Sequence, residues 1–346
     1  MKFTKLIAVM IAGWLAGCST PAPAPKQEIR ADDFLGMWAL DLDYENSNAG
    51  WLEVRQENGY LDADILWRWG SVEPAEFVFV AEGELFLEKE RNVIRERDES
   101  GKPLKAHHLV YWYDIKKDGN DRITGTLFTP NENGIGVESV AFSGTRIPPP
   151  GEAPDLSKIQ FGEPVTLFNG RDLEGWELTD KNAASGWSVV DGILINDPVQ
   201  KEGEPHISYG NLRTRETFSD FRLEIGANVP EGSNSGIYLR GIYEVQVVDS
   251  YGRELDPHNM GALYSRITPS VAAEKPAGEW QTFDITLYKR HLTVILNGVK
   301  IIDNQPVKGV TGGALTSDEF SPGPLYLQGD HGKVSYRDIV LTPILD

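Results

Sequence analysis

The stretch SNSGIYLRGIYEVQVVDSYG, residues 233–252, carries polar side chains of several chemical types at the two-residue spacing of a β-strand. Tyr238, Arg240, Glu244 and Gln246 fall on even positions, while most apolar residues fall on odd ones. Successive side chains of a strand point to opposite faces, so the four polar groups are predicted to share one face. A phenol, a guanidinium, a carboxylate and an amide on one face favour a binding or catalytic site over an ordinary solvated surface.

Glu244 is the predicted general base of this face. Shielding from water by Tyr238 and Ile242 would raise the pKa of its carboxyl group toward neutrality. Arg240 could stabilise a negative charge that develops on a ligand. A tight Arg240–Glu244 pair would instead lower that pKa and leave only a cross-strand ion pair that holds register. Gly241 adds a further alternative, because a bulge at a strand glycine would turn the two side chains apart.

Other polar residues extend the predicted site. His331 could donate a proton to a leaving group, since histidine titrates near neutrality; a plain hairpin-tip residue is the alternative. Lys275 precedes a proline and also fits a solvated loop. The sequence requires no cofactor, but His258 and Asp256 are candidate ligands for a divalent metal. The predicted substrate-binding residues are Tyr238, Gln246, Asp249, Gln328, Asp330 and Lys275.

Two proline-rich segments divide the chain. STPAPAPKQ (19–27) fits an extended tether, and IPPPGEAPD (147–155) stops any strand. The predicted organisation is a signal peptide (1–17), a tether (18–30), a first domain (31–148), a linker (149–160) and a second domain (161–346).

The bulk charge excludes several partners. The 346 residues carry a net charge of −19, which disfavours binding to nucleic acid or to an anionic membrane surface. A small neutral ligand is therefore expected. Cys18 is the only cysteine of the sequence, so no internal disulfide can form.

The N-terminus has the features of a secretion signal. Lys2 and Lys5 precede a short apolar run that ends in Leu15-Ala16-Gly17-Cys18. This ending resembles the bacterial lipobox, which implies cleavage before Cys18 and acylation of its thiol. Ser19 is similar to the residue that directs lipoproteins to the outer membrane of Gram-negative bacteria. The sequence thus predicts a lipid-anchored envelope protein that contacts the membrane through the anchor only.

Both domains are predicted to be all-β. The first contains short runs rich in aromatic and β-branched residues with turns between them, which is typical of an antiparallel meander. A closed barrel is favoured because closure removes unpaired edge strands. Gly36 and Trp38 resemble the Gly-x-Trp opening of lipocalin-type barrels. The second domain alternates cleanly, as in HLTVILNG (291–298), and predicts two packed antiparallel sheets.

Five blocks in the second domain resemble the 3-keto-disaccharide hydrolase domain family over about residues 160–345. They are LFNGRDLEGWE, SNSGIYLRGIYEVQVVDSYG, GALYSRITPSVAAEKPAGEW, LNGVKIID and GPLYLQGDHGKVSYRDIVLTPI. The resemblance implies a concanavalin-like jelly-roll sandwich and sugar substrates oxidised to a ketone at C3.

The expected activity is cleavage of 3-keto-glycosides at C1, by elimination after abstraction of the C2 hydrogen or by net hydrolysis. One alternative is a non-catalytic carbohydrate-binding lipoprotein, and another is an envelope interaction protein whose first domain is the receptor. A shielded carboxylate near a histidine favours the enzyme, because a binding module has no use for it.

Overall fold

The computed structural model describes residues 30–45, 48–201 and 203–345. Cys18, the signal peptide and nearly all of the tether lie outside the described residues. Apart from two single-turn 3₁₀ helices, Ala31–Asp33 and Leu156–Lys158, the regular structure is all strand, which confirms the predicted fold class. None of the helices in the described ranges is long or apolar enough to cross a membrane.

Nine strands build the first domain within residues 30–45 and 48–148. They are β1 (Gly36–Leu42), β2 (Ala49–Glu57), β3 (Tyr60–Trp67), β4 (Glu73–Pro74), β5 (Phe77–Ala81), β6 (Glu84–Arg97), β7 (Pro103–Lys117), β8 (Arg122–Pro130) and β9 (Val137–Ile147). Each pairs antiparallel with its sequence neighbour, except that β4 and β5 do not pair with each other, and β9 also pairs with β1.

Segment 73–81 closes this sheet into a barrel. Its first part, β4, pairs with β3, and its second part, β5, pairs with β6. The backbone N–H of Ala75 donates to the carbonyl oxygen of Ala63, and that of Glu76 donates to the carbonyl oxygen of Glu88. The first domain is therefore an up-and-down barrel, as predicted from the argument that closure removes unpaired edge strands.

Alternate side chains of β1 and β2 belong to two separate hydrophobic cores. Trp38 and Leu52 point into the barrel, where the Trp38 indole N–H also donates to the carbonyl oxygen of Phe34. Met37 and Trp51 point outward and are nevertheless buried, because they pack into the core of the second domain. These two strands are thus buried on both faces, and the barrel is docked to its neighbour through them.

Fourteen strands build the part of the second domain that the structure describes, residues 160–201 and 203–345. They are β10 (Gln160–Phe161), β11 (Val165–Thr166), β12 (Trp176–Leu178), β13 (Trp187–Val190), β14 (Ile193–Asn196), β15 (Leu212–Thr214), β16 (Phe221–Asn228), β17 (Asn234–Leu239), β18 (Tyr243–Val248), β19 (Trp280–Tyr288), β20 (His291–Leu296), β21 (Val299–Pro306), β22 (Tyr326–Leu327) and β23 (Val334–Leu345).

Two antiparallel sheets share one core in this domain. One sheet has the order β13-β14-β23-β16-β19-β20-β21, and the other has the order β12-β15-β22-β17-β18. Leu223 and Ile285 of the first sheet are buried in the same cluster as Ile237 and Val245 of the second. The second domain is therefore the predicted jelly-roll sandwich, and its smaller sheet contains the segment with the even-numbered polar residues.

Buried polar contacts fix the barrel on the sandwich. The guanidinium of Arg266 lies 4.1 Å from the ring centroid of Trp51, and burial lowers the pKa of Arg266 to about 10. The fully buried carboxylate of Glu319 pairs with Arg290, whose Nη1 donates to the carbonyl oxygen of Pro148 at the end of the first domain, at 2.8 Å. These contacts hold the two domains in one defined orientation.

Candidate active site

The even-numbered polar residues lie on a hairpin, so the prediction of one continuous strand over this stretch is wrong. β17 ends at Leu239 and β18 begins at Tyr243. Arg240 and Gly241 form the turn with φ angles of 53° and 68°, a left-handed conformation that glycine adopts without strain. Tyr238 and Glu244 are paired directly across the hairpin and share one face.

This face forms the floor of a cavity of about 640 Å³, a size typical of small-molecule sites. Five predicted site residues line it: Tyr238, Glu244, Gln328, Asp330 and His331. Trp69 and Gly70 of the barrel also line it, so both domains contribute to its wall.

The carboxyl group of Glu244 is held out of water beside a phenol. Only 4% of Glu244 is exposed. The Tyr238 hydroxyl lies 2.9 Å from Oε2 of Glu244 and 2.7 Å from the carbonyl oxygen of Gly312. Burial raises the pKa of Glu244 to about 8, although hydrogen bonding from Tyr238 and the nearby charge of His331 act in the opposite direction.

The number of protons available for hydrogen bonding also favours a raised pKa of Glu244. A phenol has one proton to donate. When Glu244 is protonated, it can donate to the Tyr238 oxygen while Tyr238 donates to Gly312, and both contacts are satisfied. When Glu244 is ionised, Tyr238 must give its proton to one acceptor only. The neutral acid is therefore well suited to the site at rest, and the carboxylate is a reactive base once formed.

The floor is stiffened by a second tyrosine. The rings of Tyr238 and Tyr326 are stacked, with centroids 4.2 Å apart and planes inclined by 15°. Asn211 Nδ2 donates to the Tyr326 hydroxyl at 2.7 Å, and burial holds the pKa of Tyr326 well above its ordinary value. The phenol beside Glu244 is thus fixed in place by aromatic packing.

His331 and Asp330 form an ion pair at the cavity rim. Nδ1 of His331 lies 2.7 Å from Oδ1 of Asp330, and both side chains are about half-exposed. The hydrogen bond that His331 donates to Asp330 raises the pKa of His331, with desolvation opposing it and Coulombic attraction to Asp330 and Glu244 adding to it. The imidazolium form is favoured, so His331 can serve as a proton donor near neutral pH.

Two amide side chains in the cavity have an unused acceptor. Gln328 and Asn234 line the cavity, and their buried oxygens accept no hydrogen bond from any residue in the described ranges. A buried amide oxygen without a donor is costly. This polar lining fits a polyhydroxylated ligand such as a sugar.

Several residues that line the cavity were not predicted from the sequence. Tyr326 had a signal, because it stands two positions before Gln328 in GPLYLQG and so shares its face. The loop residues had none, since only the fold brings them to the hairpin. The missed residues with polar side chains are Thr179, Asp180, Asn211, Asn234, Tyr264 and Tyr326.

The other predicted site residues lie away from the cavity lining. Arg240 is in the turn, and its guanidinium donates to the carbonyl oxygens of Glu319 and Ser321, so it braces a loop and does not face Glu244. Gln246 is buried and accepts from the backbone N–H of Val247. The expectation that these two side chains join Glu244 over a ligand is therefore wrong.

Asp249 and Lys275 also make local contacts outside the cavity. Asp249 accepts from the backbone N–H of Gly232 at 3.0 Å, and the Lys275 ammonium group donates to the carbonyl oxygen of Trp280 at 3.0 Å. Each contact ties a loop of the sandwich to a neighbouring segment. A substrate-binding role for either residue finds no support in these contacts.

The candidate metal ligands form a pair. Nδ1 of His258 lies 3.3 Å from Oδ1 of Asp256, and Nε2 of His258 lies 2.9 Å from the Ser71 hydroxyl of the barrel. Within residues 30–45, 48–201 and 203–345, no three His, Cys, Asp or Glu side chains are grouped as metal ligands. The contact of His258 with Ser71 instead links the sandwich to the barrel.

Comparison with known proteins identifies relatives of the second domain. The family model of the 3-keto-alpha-glucoside-1,2-lyase-like domain matches residues 163–342. A curated 3-keto-disaccharide hydrolase from Bacteroides thetaiotaomicron is 29% identical over 154 residues, which are 36% of this chain and 52% of the relative. The chain thus spans about half the length of that relative.

Two of the solved structures with similar chains come from Parabacteroides distasonis. One candidate glycosyl hydrolase is 30% identical, with a TM-score of 0.42 over 54% of this chain and 92% of that one. A second is 20% identical, with a TM-score of 0.44 over 53% of this chain and 94% of that one.

A methyl group at Gly236 should disrupt the floor of the cavity. A Cβ atom there would lie 2.3 Å from Oε1 of Glu244. We expect Gly236→Ala to lower the free energy of unfolding by about 1–3 kcal/mol, the usual cost of overpacking a buried site. Denaturant unfolding measures this loss. Gly151→Ala is the control, because a Cβ there meets nothing within 4 Å; equal stability of the two variants would contradict the described packing.

The raised pKa of Glu244 should also appear in the pH dependence of stability. The folded pKa of about 8 exceeds the ordinary value of 4.5, so the group's stabilising contribution is complete below pH 4.5 and is lost as pH rises toward 8. Glu244→Gln removes this titration.

The free energy of unfolding of the wild type, relative to Glu244→Gln, should therefore fall between pH 5 and pH 8 by up to about 1.4 kcal/mol per pH unit. Denaturant unfolding of both proteins at several pH values measures the difference. Parallel pH profiles would show that Glu244 titrates normally in the folded protein.

Proposed function

Because this chain belongs to the family of 3-keto-alpha-glucoside-1,2-lyase-like domains through residues 163–342, we propose that it cleaves 3-keto-glycosides, including 3-keto-disaccharides, at C1. The observation that carries this proposal is the carboxyl group of Glu244, which is 4% exposed, lines the cavity and has its pKa raised to about 8. A general base works best when its pKa lies near the working pH.

The chemistry begins at C2 of the sugar. A ketone at C3 acidifies the hydrogen on C2, since the electron pair left behind is delocalised onto the ketone oxygen. The carboxylate of Glu244 takes this proton, and the C2–H electron pair forms an enolate. Collapse of the enolate makes a C1=C2 double bond and breaks the bond from C1 to the leaving oxygen. The product is an enone, and addition of water to it would give net hydrolysis.

The remaining groups in the cavity match the other needs of this reaction. Negative charge develops on the C3 oxygen, and the amide N–H groups of Asn234 and Gln328 are donors that line the same cavity. The leaving oxygen needs a proton, and His331, whose pKa is raised by Asp330, is suited to supply it. Arg240 has no part in this proposal, because its guanidinium is held by backbone carbonyls.

A non-catalytic sugar-binding module would use the same amides and tyrosines. It would gain nothing from a carboxyl group whose ionisation is opposed by burial, because an uncharged amide would bind hydroxyls without that cost. The enzyme is therefore the better-supported function.

Glu244→Gln should abolish most of the turnover. The amide keeps the size of the side chain but accepts no proton, so kcat should fall by at least about 100-fold, the lower end of general-base contributions. Ultraviolet absorbance of the enone, with product analysis of the released alcohol, follows the reaction on a 3-keto-glucoside. Glu279→Gln is the control, because Glu279 is exposed on a loop.

The pH dependence of kcat/KM tests the same role of Glu244 as a general base. The wild-type kcat/KM should rise as pH increases toward about 8, because Glu244 must lose its proton before it can act. Equal rates for wild type and Glu244→Gln would remove Glu244 from the reaction. Absence of turnover on any 3-keto-glycoside would favour the binding module.

We also propose that the chain is anchored by a lipid to the outer membrane of a Gram-negative bacterium. The support is the sequence Leu15-Ala16-Gly17-Cys18 at the end of a short apolar run, with Ser19 after it. Several acyl chains on one cysteine would give stable anchoring, which a single chain does not.

Cys18→Ser should release the protein from the membrane. The hydroxyl cannot replace the thiol in lipobox acylation, so the variant should move to the soluble fraction when the chain is expressed in a Gram-negative host. Fractionation of wild type, Cys18→Ser and the control Ser19→Ala measures this. Retention of Cys18→Ser in the outer membrane would contradict a lipid anchor at this residue.

A further inference from the structure

The barrel contributes an exposed tryptophan to the cavity that contains Glu244. Trp69 follows the last residue of β3 by two positions, and 61% of it is exposed. Its ring and Gly70 line the same cavity of about 640 Å³ as Glu244. An aromatic ring that is open to a cavity presents apolar surface that a ligand can cover.

The turn that carries Trp69 is held firmly. The guanidinium of Arg68 lies 3.6 Å from the ring centroid of Tyr44 and 4.2 Å from that of Trp69, so it is stacked between the two rings. The carbonyl oxygen of Arg68 accepts from the backbone N–H of Gly313 in the sandwich, at 2.8 Å. The indole is thus positioned from both domains.

Further contacts clamp the rest of the turn to the sandwich. The Ser71 hydroxyl lies 2.9 Å from Nε2 of His258, and the backbone N–H of Val72 donates to the Ser265 hydroxyl at 2.8 Å. A Cβ atom on Gly312 would lie 2.2 Å from the carbonyl oxygen of Gly70, so the two backbones are in direct contact. Such close support is typical of a preorganised binding surface and not of a free loop.

A second cavity continues beyond the indole. It has a volume of about 360 Å³, lies at the barrel mouth and shares Trp69 and Gly70 with the first cavity. Trp67 and Tyr111 give it further aromatic surface. A ligand that fills the first cavity and extends past Trp69 therefore enters the mouth of the barrel.

From this arrangement we infer that Trp69 forms the leaving-group subsite: the barrel binds a ring-shaped leaving group, a second sugar or an aromatic ring, against the indole face. The inference rests on the proposed function, which places the keto sugar over Glu244 and Tyr238 on the sandwich side. The atoms beyond the C1 oxygen then have the barrel side of the cavity to occupy. Stacking of a flat ring face on an indole supplies affinity without specific hydrogen bonds.

Trp69→Ala should weaken binding only when the leaving group is a ring. The test compares 4-nitrophenyl 3-keto-α-glucoside with methyl 3-keto-α-glucoside by titration calorimetry, in the Glu244→Gln background, where turnover is expected to be at least about 100-fold slower. We expect Trp69→Ala to raise Kd for the nitrophenyl glycoside by about tenfold, the upper range for an aromatic pair, and to change Kd for the methyl glycoside by less than about twofold. Trp69→Phe, which keeps an aromatic face, should restore part of the loss.

The control is Tyr60→Ala, because Tyr60 is also an exposed aromatic residue of the barrel but lines neither cavity. It should leave both Kd values unchanged. Equal losses for the two glycosides, no loss for either, or no binding of either by Glu244→Gln would overturn the inference. Failure of the proposed function is seen separately, as lack of turnover by the wild type, because the binding comparison does not depend on turnover.

Discussion

The structure of this site depends on one unfavourable placement: the carboxyl group of Glu244 is taken out of water, and the side chain that hydrogen-bonds to it is the phenol of Tyr238. Desolvation opposes the ionisation of this carboxyl group and raises its pKa to about 8. A carboxylate with a pKa near the working pH is an effective proton acceptor. The surrounding structure maintains that placement. Gly236 leaves room for the carboxyl group, Tyr326 stacks on Tyr238, and Gly312 accepts from the Tyr238 hydroxyl.

The turn at Arg240 explains why this arrangement remains suitable for a base. Had the stretch been one strand, an arginine on the same face as Glu244 would have lowered the carboxyl pKa and produced an ordinary ion pair. The left-handed turn at Arg240 and Gly241 instead sends the guanidinium to the carbonyl oxygens of Glu319 and Ser321. A positive charge that does act on Glu244 is that of His331, which is paired with Asp330 at the rim.

Local patterns in the sequence predicted the parts of this protein that depend on local physics. Two-residue alternation indicated all-β domains, and five sequence blocks identified the family, both of which are confirmed. Alternation also put Tyr238 and Glu244 on one face, where the structure has them. The same alternation wrongly placed Arg240 on the face of Glu244, because Arg240 and Gly241 form a hairpin turn at which the chain reverses direction. Nothing in the sequence could place Trp69 in the cavity, since that position depends on how the outer face of β1 and β2 docks on the sandwich.

The most direct test of the account is a titration of the Glu244 carboxyl group itself. Carbon-13 NMR of protein labelled at the glutamate carboxyl carbon, with Glu244→Gln to assign the resonance, follows its protonation without any substrate. We expect a midpoint near pH 8, because burial favours the neutral acid. A midpoint near the ordinary value of 4.5 would show that Glu244 is already ionised at neutral pH. That result would contradict its role as a buried general base with a raised pKa.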